Sequence, residues 1–125
     1  MADNLAQYKA EQYLKDFYNL SNRADIQGFY YVTRLHSVIV LEITLATFDK
    51  KHPVSFEYLC DNIPKKLGKR TTIQTILLEG IRKGYFLKKI SEVDKRIKFY
   101  TLEKNSLEII KKWLQEQEMY SNFHS

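Results

Sequence analysis

Cysteine is nearly missing from this sequence. Cys60 is the one thiol in 125 residues, so no disulfide can form within the chain. That usage suits a reducing compartment. His36, His52 and His124 have no metal-ligand spacing with one another or with Cys60, and no metal site is expected. Long apolar runs are also lacking. The longest spans 38–41, far short of the roughly 20 apolar residues a membrane-spanning helix needs. The first residues include Asp3 and Glu11 and no apolar signal core, so a soluble cytoplasmic protein is expected. No phosphate-binding glycine loop, nucleophile elbow or His-Glu-x-x-His pattern occurs. Acids such as Glu42 and Asp49 are scattered and form no acid/base pair. Neither an enzyme nor a cofactor is expected. No repeat or low-complexity tract is visible.

What remains is a chain able to fold. Hydrophobic residues make up 44% and charged residues 28%, enough for one domain with its own core and no staples. Its net charge of +5 is unevenly spread. Residues 1–50 hold five basic and six acidic side chains, whereas residues 65–98 hold eleven basic and three acidic ones. A local excess of +8 has the form of a phosphate-backbone footprint. A solvated basic surface has the same composition, and charge alone leaves both readings open.

Hydrophobic periodicity orders the chain. Leu5, Tyr8, Tyr13, Phe17 and Leu20 give a helix over 3–20. A polar connection over 21–28 leads to a central buried helix over 29–48. After a break at 50–53, Ser55 is placed to cap a short helix over 56–62. Pro64 and Gly68 bracket a basic turn. Thr71 and Gln74 have capping-box spacing for a helix to about Lys83, with Ile73, Ile76, Leu77 and Ile81 inward and Gly84 as its left-handed terminator. Alternation over 85–91 and 96–102 predicts a hairpin with its tip at 92–95. Asn105 and Glu108 have the spacing to open a last helix whose apolar face is Leu107, Ile110, Trp113 and Leu114. Two short helices joined by a tight turn, then a basic hairpin, make a winged helix-turn-helix.

The residues within that layout resemble the MarR family of transcriptional regulators. The run from Thr71-Thr72-Ile73-Gln74-Thr75 through Gly84-Tyr85-Phe86 is similar to the family's recognition helix and terminal glycine. Asp94-Lys95-Arg96 matches its D-x-R wing motif, and Tyr100-Thr101-Leu102 stands where the last wing strand meets the C-terminal helix. Phe56-Glu57-Tyr58-Leu59-Cys60 occupies the first helix of the motif. The resemblance is strongest over 53–104, and the compact wing and short last helix are also similar to the SarA-like branch. Two departures stand out. Gly80 replaces an apolar residue four before the terminal glycine, which points to close packing against another helix, and Leu102-Glu103-Lys104-Asn105-Ser106 replaces the family's L-T-x-x-G.

The resemblance implies a mostly α fold with a small β-hairpin wing, in one domain of 125 residues. Residues 53–103 form the winged helix-turn-helix, and residues 1–28 and 104–125 supply dimerisation helices. It implies a nucleoid-associated homodimer that binds double-stranded DNA as a sequence-specific regulator, usually a repressor, at a palindromic site. Residues 71–78 then lie in the major groove, where Thr71, Thr72, Gln74 and Thr75 can reach base edges, and Leu78 also lies off the core face. The 92–98 wing enters the minor groove through Lys95 and Arg96, with Asp94 steadying it. Lys65, Lys66, Lys69 and Arg70 are candidates for phosphate contacts, joined by Lys98 on the wing. Leu5, Tyr8, Tyr13, Phe17, Trp113, Leu114, Met119 and Tyr120 are candidates for the dimer interface. An aromatic acid effector would sit in a cleft near Tyr30, Tyr31, Arg34 and His36. His36 reads more readily as a satisfied core or interface residue, and Cys60 as a small buried filler rather than a redox sensor. Other uses of the same layout are a winged-helix protein-interaction module and an architectural DNA binder with little sequence preference.

Overall fold

A computed structural model describes residues 2–124, with side chains from Asp3 to Glu116. The elements follow in the order α1 (Ala2–Leu20), α2 (Ile26–Tyr30), α3 (Arg34–Phe48), β1 (Val54–Ser55), α4 (Phe56–Asn62), α5 (Arg70–Arg82), β2 (Phe86–Ile90), β3 (Lys98–Leu102) and α6 (Lys104–His124). The mostly α architecture with a small β wing is as expected.

The long central helix is two helices. Asp25 caps α2 by accepting from the Gln27 and Gly28 amides at 3.0 and 3.3 Å, so the supposed polar connection already starts a buried turn. Thr33 then caps α3, its hydroxyl accepting from the His36 amide at 3.1 Å. Continuous hydrophobicity hides the break, because α2 and α3 both bury apolar side chains in one core. Ile26 and Phe29 from α2 meet Leu35, Ile39, Val40 and Ile43 from α3. These pack against Leu77, Phe86, Leu102 and Ile110, which gives α5, the sheet and α6 a shared interior.

The hairpin belongs to a three-stranded antiparallel sheet of order β1-β3-β2. Strand β1 is too short to show alternation and pairs Val54 with Tyr100. In the wing, Phe86 pairs with Leu102 and Ile90 with Lys98. Thr47 ties α3 to this sheet: its hydroxyl donates to the Ile43 carbonyl at 2.7 Å and accepts the Leu102 amide at 2.9 Å.

Three local signals act differently from their sequence spacing. Helix α5 starts at Arg70 with Lys69 as its N-cap and no side-chain cap bond, so Thr71 and Gln74 form no capping box and both point to solvent. At α6, Glu103 replaces the Asn105/Glu108 pair, its carboxylate accepting from the Asn105 and Ser106 amides at 2.8 and 3.0 Å. Gly80 is packed against the wing, not another helix: a Cβ there would overlap the Phe86 ring. Gly84 acts as expected, with φ of +81°. Around it the Tyr85 amide donates to Gly80 O at 2.8 Å and the Gly84 amide to Ile81 O at 3.0 Å, closing the helix as a Schellman motif.

Helix α1 rests against the body with Phe17 edge-on to Tyr31 at 5.1 Å. Lys9, Gln12, Asp16 and Leu20 are half-buried, whereas Leu5, Tyr8, Tyr13, Leu14, Phe17 and Tyr18 are exposed. Trp113, assigned above to an interface, is in the core of its own chain, with its ring 4.8 Å from Tyr30 and 6.1 Å from Tyr31. Leu114 beside it is half-buried. Helix α2 crosses the 28 boundary drawn for the dimerisation segment and packs in the same core. Met119 and Tyr120 lie outside the described side chains. Among the described residues, no helix is long and apolar enough to cross a membrane.

Candidate nucleic-acid interface

Helix α4 and the turn after it set up the exposed helix. Ser55 caps α4 by accepting the Tyr58 amide at 3.1 Å. The turn brings Gly68 against Leu35, where a Cβ would overlap that side chain. Helix α5 then buries Ile73, Ile76, Leu77 and Gly80. Thr71, Thr72, Gln74, Thr75 and Leu78 are left on its open side. The Thr75 hydroxyl turns back to donate to the Thr71 carbonyl at 2.9 Å.

The wing stands beside that face. Register puts Lys88 opposite Tyr100 and Lys98 opposite Ile90, so Lys88 and Lys98 share the side of the sheet that carries Tyr100. Lys89, opposite Phe99, faces away. An open groove of about 390 Å³ runs between α5 and the wing, lined by Gln74, Leu78, Lys88, Arg96, Lys98 and Tyr100 among others. Residues 20 positions apart in sequence thus face one another across a single groove, a relation that strand periodicity alone leaves undetermined.

Two arginines on this side are each held by a carboxylate. Asp94 accepts from the Arg96 amide at 3.0 Å and from its Nε and Nη2 at 3.1 Å. The guanidinium holds the Asp94 carboxyl below its usual range. Ser91 supports the same tip by accepting the Val93 and Asp94 amides at 3.2 and 3.3 Å. Arg70 instead donates to Glu57 at 3.1 and 2.7 Å and lies 5.0 Å over the Phe56 ring. The pair lowers the Glu57 carboxyl pKa. Arg70 is therefore part of a latch between α4 and α5. Glu57 was not singled out in the sequence, since a partner 13 positions away leaves no local signal. Lys65, Lys66, Lys69, Lys95 and Lys98 are exposed.

The remaining candidates separate from this surface. His36 is buried, with Nδ1 2.7 Å from the Thr33 hydroxyl and its ring 4.8 Å from Phe29. It does not line the cleft expected for an effector. That cleft, about 340 Å³, lies between α1 and α3 and is lined by Tyr13, Phe17, Tyr30, Tyr31, Arg34 and Trp113 among others. Burial pushes the Tyr31 phenol up to about 12. Cys60 is half-buried and its thiol is pushed up, away from a reactive thiolate. Among the described residues, no cluster of His, Cys, Asp or Glu could hold a metal ion.

No family model matches the chain, and no curated protein matches it in sequence. Solved structures do match in shape. A mutant of MepR from a multidrug-resistant Staphylococcus aureus clinical isolate aligns with TM-score 0.54 at 14% identity, over 90% of this chain and 82% of that one. FabT of Streptococcus pneumoniae, solved in complex with DNA, aligns with TM-score 0.54 at 17% identity, over 98% of this chain and 82% of that one. The fold is a MarR-like winged helix. At such identities the shared property is the fold.

Proposed function

We propose that the chain is a sequence-specific regulator that binds double-stranded DNA as a homodimer and acts as a repressor at a palindromic site in the cytoplasm. The observation that carries the reading is the shared groove. Gln74 and Leu78 on the open face of α5 share that groove with the Asp94-clasped Arg96 of the wing and with Lys88 and Lys98. A helix of this kind fits the major groove and an arginine at a wing tip fits a narrow minor groove. Gln74 can pair with adenine, and Lys65, Lys66 and Lys69 can neutralise phosphates. FabT, which has the same fold, was solved with DNA.

Dimerisation is supported by α1, where Leu5, Leu14 and Tyr18 are exposed. A second copy related by a two-fold axis would cover that face and present two α5 helices to one duplex. The cleft beside Tyr30, Tyr31 and Arg34 has room for a small aromatic acid next to α1, so an effector there could act on the dimer.

Fluorescence anisotropy of a labelled random-sequence duplex over a salt series tests the DNA reading. Binding that weakens linearly in log–log form with salt is expected. No binding at low salt would overturn it and leave the basic face to a protein partner.

A further inference from the structure

Leu78 is 54% exposed in the middle of an otherwise polar helix face. With Ile73, Ile76, Leu77 and Gly80 buried, the outermost row of α5 is Thr71, Thr75, Leu78 and Arg82, at helical steps of three and four. Nothing in the chain's own core requires a leucine there. Its surroundings are a groove that also carries Gln74, Lys88, Arg96 and Lys98. The lining also includes Phe56, Ile97 and the acid Glu57, itself paired with Arg70, so Leu78 stands in a groove with three cations and an apolar wall, which suits a polyanion that also presents apolar groups. Duplex DNA does so in the major groove, where the only apolar group on a base edge is the C5-methyl of thymine.

We propose that Leu78 reads a thymine methyl and is a specificity-determining residue, an inference that rests on the DNA-binding reading above. Thr75, one helical step away, supports the same contact. Its hydroxyl is committed to the Thr71 carbonyl at 2.9 Å, which leaves its methyl as the group available to a partner. Gln74 lies beside both and suits adenine. The trio therefore favours a half-site in which an adenine neighbours one or more thymines, and it discriminates thymine from cytosine by the methyl alone.

Replacing thymine with deoxyuridine deletes that methyl without touching the protein. The probe is the duplex enriched by the full chain from a randomised pool, with each thymine replaced in turn. For the unmodified protein, at least one replacement should weaken binding about fourfold, the factor that corresponds to one buried methyl group. Leu78→Ala should bind the parent duplex less tightly and lose most of its response to that replacement. Circular dichroism checks its fold, and Thr75→Ser, which keeps the hydroxyl, should lower the response partly. If the protein binds the enriched duplex and no replacement matters, or Leu78→Ala responds as the unmodified protein does, the methyl assignment is wrong while the DNA-binding reading stands. If no duplex is bound at low salt, both fall.

Discussion

The Asp94 carboxylate clasps Arg96 three times, through the arginine's amide, Nε and Nη2, at 3.0 to 3.1 Å. The pair is exposed and lends the fold little. What it does is fix the direction of one guanidinium at the tip of a hairpin, so that less freedom would be lost in the proposed entry into a groove. Arg96→Ala should therefore weaken duplex binding and lower the salt slope by about one, with circular dichroism and melting unchanged. Unaltered affinity would remove the wing from the interface. Lys66→Ala should lower the slope similarly on every sequence, because phosphate contacts carry no sequence information.

Gly80 and Phe86 join α5 to the β2–β3 hairpin. Alanine improves helix propensity by roughly 1 kcal/mol, but its methyl would overlap the buried Phe86 ring. Overpacking of this kind costs about 1–3 kcal/mol. Gly80→Ala should lower stability in urea titrations, and adding Phe86→Leu should return part of the loss. A more stable Gly80→Ala would show that the two elements separate easily.

His36 gives a pH dependence of known sign. Burial lowers its pKa from the ordinary value of 6.5, with Glu79 opposing that shift and Lys83 adding to it. The folded state thus prefers the neutral ring, and the unfolded chain takes up the proton first. Stability is complete above pH 6.5 and falls as pH drops below it. Melting temperatures at neutral pH and near about pH 5 should differ more for the unmodified protein than for His36→Gln. Equal differences would mean that the carboxylates alone produce the acid sensitivity.

The outward apolar face of α1 makes oligomeric state testable by charge. Leu14 and Tyr18 are 51% and 66% exposed and contribute little to the chain's own core. Leu14→Asp combined with Tyr18→Asp should convert a dimer to monomers in sedimentation experiments while leaving helicity intact. A dimer that survives both acids would move the interface elsewhere.

Much of this surface was legible in the sequence because its cues are local. Ser55 capping α4, Gly84 ending α5 and Asp94 two residues before Arg96 all act within a turn of themselves. The failures share a cause. Thr71 and Gln74 have the right spacing but sit one residue inside a helix that starts at Arg70. Asp25 and Thr33 cap two helices within a stretch that continuous hydrophobicity reads as one. Glu57 with Arg70, Gly80 with Phe86 and Trp113 with Tyr30 are tertiary pairings that no local spacing specifies.

Selection from a pool of randomised duplexes, with the winning sequence followed by anisotropy at several salt concentrations, tests the central claim most directly. The expected result is an enriched palindrome with half-sites about 10 bp apart, as two α5 helices across a two-fold axis require. Salt-sensitive binding with no enriched sequence would contradict sequence-specific regulation and indicate an architectural binder, and no binding at low salt would contradict DNA recognition altogether.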